Sequence, residues 1–83
     1  MGDHDDHQGD VRLAFAATLR EYRERANISQ DALAVNSGVH RSHLVRLEHA
    51  TVVPGLNTVF QICGALRVAV AVFIADVEKR MGI

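Results

Sequence analysis

Cysteine occurs once in this chain, at Cys63, and proline once, at Pro54; tryptophan is absent, and there is a single tyrosine. A lone thiol excludes an intramolecular disulfide, and its place inside an apolar run marks it as a small buried side chain suited to a reducing cytoplasm. Long apolar runs are missing too. The longest, Val68 to Ala75, falls well short of the roughly 20 residues that span a bilayer, and no charged-then-apolar leader opens the chain. Both observations point to a soluble, cytoplasmic protein without a membrane partner. No Gly-rich phosphate loop and no Cys/His nucleophile spacing is present, so no catalytic residue and no cofactor is expected, and the chain is read as a non-enzyme.

Charge of one sign is scarce as well. Nine Lys/Arg stand against ten Asp/Glu, a formal net charge of −1, which taken alone argues against a nucleic-acid partner. The average conceals a division. Asp3, Asp5, Asp6 and Asp10 crowd the first ten residues, leaving nine basic against six acidic side chains from Val11 onward, a net +3. Residues 1–9 have no apolar side chain after the initiator, so they are expected to form a disordered acidic arm ahead of one domain over residues 10–83. His4 and His7 lie beside three aspartates, but a tail with nothing to orient the rings is read as solvated rather than as a metal site.

What is abundant is apolar residues at helical spacing. The chain is 48% hydrophobic, which fits an all-α bundle. Asp10 is a candidate cap for a first helix running to about Ala26, with Phe15, Leu19 and Tyr22 toward the core and the Tyr22 hydroxyl at the surface. Asn27 tolerates positive φ, and Ser29 is a cap for a helix opening at Gln30. Gly38 then permits a left-handed turn, Val39 plugs the angle, and Leu44 and Leu47 recur along a second short helix whose remaining face is polar. A further helix over about Asn57 to Leu66 is expected to bury Val59, Phe60 and Cys63. From Val68 the alternation VAVAV allows a strand, whereas Val70, Phe73, Ile74, Val77 and Met81 fit a helix of roughly 12 residues, the favoured choice.

The run SQDALAVNSGVHRSHLVRLE resembles the helix-turn-helix of the lambda-repressor and Cro-like (XRE-type) DNA-binding regulators. Gln30, Ala34, Gly38, Val39, Leu44 and Leu47 match that pattern at the right offsets, and the likeness extends from about Leu13 to Phe73. It implies a five-helix fold and a double-stranded DNA partner. It also implies that Arg41 and Arg46 fork onto guanine, that His40, Ser42 and His43 meet base edges or phosphate, and that Gln30 meets phosphate. A pairing of Arg23 with Glu48 is implied by the same likeness. Two departures stand out: Ala50, Thr51, Val52 and Val53 replace the glycine and basic or amide residues usual after the second short helix, and Arg67 and Ala69 replace a usual glycine and capping hydroxyl.

Within the family, SGVHRSHLVRLEH most resembles restriction-modification controller proteins. The expected function is that of a sequence-specific transcriptional regulator binding a palindromic operator as a homodimer, through an apolar surplus at Val70, Phe73, Ile74, Val77 and Met81. The other reading is a protein-interaction module or antitoxin-type regulator that uses the same fold to hold a partner protein.

Overall fold

Local chemistry sets the helix boundaries. The computed structural model describes the backbone of residues 3–83 and the side chains of residues 11–83, and contains α1 (Asp3–Arg25), α2 (Gln30–Ser37), α3 (Arg41–Glu48), α4 (Leu56–Leu66) and α5 (Val70–Met81). No strand occurs among the described residues, so the Val68 to Ile83 segment resolves as a helix. Ser29 Oγ accepts the Ala32 amide at 3.0 Å and starts α2. Gly38, at φ +74°, ends α2 by donating its amide to the Ala34 carbonyl at 2.9 Å. Ser37 tightens the same corner, its hydroxyl accepting the Val39 amide at 3.1 Å.

Two expectations are corrected. The first helix begins at Asp3 rather than at a cap at Asp10. The side chains of His4 and His7 lie outside the described residues. Phe60 is 56% exposed, and Ile62 takes the core place expected for it. The apolar positions of α4 form a stripe too wide to bury whole; Val59, Ile62 and Cys63 turn inward and leave Leu56 and Phe60 outside.

The core joins Phe15 and Leu19 of α1, Leu33 of α2, Leu44 and Leu47 of α3, Val59, Ile62 and Cys63 of α4, and Phe73 and Val77 of α5. Phe73 is fully buried, edge-on to Phe15 with ring centroids 5.4 Å apart and 5.2 Å from the Tyr22 ring. Burial alone pushes the Cys63 thiol up to about 11, which leaves it an inert packing group near neutral pH. No single helix among the described residues is long and apolar enough to cross a membrane, and the apolar pair α4 and α5 meets at 109° around this core.

Phe73 is fully buried within its own chain, which corrects its assignment to a dimer surface, and Val77 is 6% exposed at the floor of an apolar groove. Val70 and Met81 are partly buried against the same core, and only Ile74 of that set is exposed. The spacing of these residues records the packing of α5 on its own chain. Exposed apolar side chains include Val53, Leu56, Phe60, Val72 and Ile74, with Leu13, Val35 and Ile83 elsewhere on the chain.

Candidate nucleic-acid interface

The short helix α3 is held by its inner face. Leu44 and Leu47 sit in the core, and Glu48, only 2% exposed, is surrounded by donors. Arg23 Nε lies 2.7 Å from Glu48 Oε2 and Arg23 Nη2 lies 3.1 Å from Oε1, a two-pronged contact that fixes the carboxylate plane. Arg23 Nη1 donates to the Ile28 carbonyl at 2.9 Å, and Gln30 Nε2 donates to Glu48 Oε1 at 3.0 Å. Arg20 Nη1 adds a hydrogen bond to the Glu48 backbone carbonyl. The carboxylate raises the Arg23 pKa, chiefly through the hydrogen bond. Residues of α1, the α1–α2 turn and α2 thereby converge on the last residue of α3. The Gln30 side chain, expected at phosphate, is instead engaged with Glu48.

The outer face of α3 is polar and open. His40, Arg41, Ser42 and Arg46 are exposed and His43 is half-buried. His40 precedes the first turn with no side-chain cap, and its Nδ1 stands 3.4 Å from the Ser42 hydroxyl. Arg46 is exposed and has no ion-pair partner among the described residues; Arg41 pairs with Asp31 at the start of α2. Five donors on each guanidinium, displayed from a helix narrow enough for the major groove, form a surface able to read guanine edges or grip phosphate.

The C-terminal end of α3 carries a feature that composition hid. Thr51, one of the neutral loop residues, donates its hydroxyl to the Arg46 carbonyl at 3.0 Å and its amide to the same oxygen at 3.1 Å. Ala50 adopts φ +60° to allow this, and Arg67 adopts φ +59° at the end of α4, both in the left-handed region that favours glycine. The first turn of α4, after Gly55, has no side-chain cap, so its leading amides have no side-chain acceptor.

A helix-turn-helix domain family matches residues 14–73. Curated proteins give no significant match. Among solved structures, the chain is similar to the restriction-modification controller protein C.AhdI from Aeromonas hydrophila, at 27% identity over 75% of this chain and 94% of that one, with a TM-score of 0.72. It is similar to the clp gene regulator ClgR from Corynebacterium glutamicum at 26% identity over 87% of this chain and 77% of that one, TM-score 0.81. The controller protein C.Esp1396I, solved as a tetramer with its natural 35 base-pair operator, shares the fold at 18% identity over 88% of this chain and 96% of that one, TM-score 0.79. By the family match over most of its length and by its five-helix architecture, the protein belongs to the helix-turn-helix family of DNA-binding regulators, the lambda-repressor and Cro-like group.

Proposed function

We propose that the protein is a sequence-specific transcriptional regulator that binds a palindromic operator as a homodimer, in the manner of a stand-alone controller protein. The observation that carries the proposal is the pairing of a rigidly anchored inner face of α3, at Glu48, with an exposed outer face bearing Arg41, Ser42 and Arg46. In this reading α3 enters the major groove, Arg41 and Arg46 fork onto guanine O6 and N7, and His40, Ser42 and His43 contact base edges or phosphate. The uncapped first-turn amides of α4 and the α2 end near Gln30 meet phosphate. No cofactor takes part.

In this reading the homodimer face keeps Ile74 and Val77 of α5 and adds Val53, Leu56 and Phe60. Val53, Leu56 and Ile74 border a groove of about 240 Å³ floored by Phe15, Val59 and Val77, and Phe60 follows Leu56 one turn along α4. A second copy covering this surface removes exposed apolar area that a small chain does not otherwise bury. Two α3 helices about 34 Å apart then address half-sites one DNA turn apart.

Selection of bound duplexes from a random pool, with sedimentation of the free protein at micromolar concentration, tests the whole proposal. A palindromic consensus and a dimer are expected. A monomer that binds no duplex at low salt would replace the proposal with the protein-interaction reading.

A further inference from the structure

The stretch from Gln30 through Glu48 holds two acidic residues; Glu48 is buried and Asp31 is exposed. Asp31 occupies the first turn of α2, on the unit that meets a polyanion, where a carboxylate repels phosphate. Its partner is Arg41, the first residue of α3. The closest approach runs from Asp31 Oδ1 to Arg41 Nε, with the side chains 75% and 60% exposed. A pair this open adds at most about 1 kcal/mol to stability, and a carboxylate in the first turn of α2 gains a comparable amount from the helix dipole; neither bears on which sequence α3 would read.

The chemistry of the guanidinium does. Nε carries one N–H and the two Nη nitrogens carry four, and a guanine edge is read by a fork of two such donors. A carboxylate seated at Nε leaves the terminal nitrogens for the base. We infer that Asp31 is a specificity-determining positioning residue, which aims the terminal donors of Arg41 at a base edge and withholds the arginine from phosphate. The inference rests on the DNA-reading role proposed above. On a random sequence, phosphate competes with Asp31 for Arg41 and meets an uncompensated negative charge if it wins. On the preferred sequence, Arg41 keeps Asp31 and gains guanine. Discrimination then comes from weakening the wrong complex as much as from strengthening the right one. Arg46, with no acidic partner among the described residues, is the internal control.

The test uses the full chain and two labelled duplexes of equal length: the sequence selected by the wild-type protein from a random pool, and its scramble. Asp31→Asn is expected to bind the scramble about 3- to 10-fold more tightly, with a salt slope steeper by about one phosphate contact, while its affinity for the selected duplex changes less than about twofold. The ratio between the two duplexes therefore falls, and Asp31→Glu restores it. In an Arg41→Ala background, Asp31→Asn leaves the ratio unchanged, whereas it still lowers the ratio in an Arg46→Ala background. An unchanged ratio in Asp31→Asn, or an equal fall with Arg41 absent, overturns the role of Asp31 and leaves the DNA-reading proposal standing. A wild-type chain that does not distinguish the duplexes overturns both.

Discussion

At the scale of single residues, the exposed arginines of α3 and the residues with positive φ make separable predictions. Arg41→Ala and Arg46→Ala each remove a guanidinium from the exposed face of α3, and each is expected to cost on the order of 1 to 3 kcal/mol of base discrimination with the fold intact. Competition binding against mismatched duplexes measures this, and wild-type discrimination in either variant would show that the arginine grips phosphate only. Ala50 carries its Cβ at φ +60°, a conformation that disfavours any L side chain by about 1 to 2 kcal/mol. Ala50→Gly is expected to raise stability by about 0.5 to 1 kcal/mol after the greater freedom of glycine in the unfolded chain is counted. A thermal melt that moves downward would locate a stabilising contact of the Ala50 methyl. Asn27, Ser29 and Gly38 were legible in the sequence because each residue type carries its own backbone or capping preference. Ala50 and Thr51 were not: neither type announces a left-handed turn, and the hydrogen bonds to the Arg46 carbonyl exist only once α3 has ended there.

At the scale of elements, two polar networks tie α1 to its neighbours. Arg23→Ala leaves the Glu48 carboxylate buried with Gln30 as its remaining side-chain donor, a loss expected to cost about 3 kcal/mol. Arg20→Ala removes one hydrogen bond to a carbonyl and is expected to cost about 1 kcal/mol. Urea denaturation of the two variants checks the order; equal midpoints would mean that Gln30 suffices for Glu48. On the other side of α1, Tyr22 donates its hydroxyl to Asp76 Oδ2, and Arg80 reaches Thr18 at 3.0 Å and Glu21 at 2.7 Å. The hydrogen bond to Asp76, with burial second, raises the Tyr22 pKa above its ordinary 10. Because the folded value is the higher one, the stabilisation is present below the unfolded pKa and is lost as pH rises through the folded value. With one tyrosine and no tryptophan in the chain, tyrosinate absorbance reports this group alone. A midpoint above 10 is expected for the wild type and a lower one for Asp76→Asn; coincident curves would remove the contact. A hydroxyl at the surface was the expectation from helix periodicity, which places Tyr22 on a face and cannot name a partner 54 positions away.

At the scale of the whole molecule, five helices and the turn between α2 and α3 follow from periodicity and caps, whereas the partition of apolar residues between core and surface does not. In α4 and α5 the apolar residues outnumber the places inside, and only packing against α1 decides that Phe73 is buried while Phe60 is 56% exposed. The two therefore differ in what their loss does. Phe73→Ala is expected to destabilise the domain by about 3 to 5 kcal/mol, while Phe60→Asp, on an open face, is expected to keep the melting temperature and shift a dimer to monomer. Sedimentation and thermal melts separate these outcomes, and a Phe60→Asp dimer of wild-type affinity would move the proposed face away from α4. The convergence of Arg20, Arg23 and Gln30 on Glu48 has a further effect at this scale. Since α1 is joined to α3 by that cluster and to α5 by Arg80 and Asp76, α3 has little freedom to slide relative to the body that would carry the second copy. In the proposed dimer two such bodies would behave as a calliper with a fixed jaw width: one base pair added between half-sites would move the far half by about 3.4 Å and turn it around the axis, so that the gap between the words would become as much a part of the message as the letters.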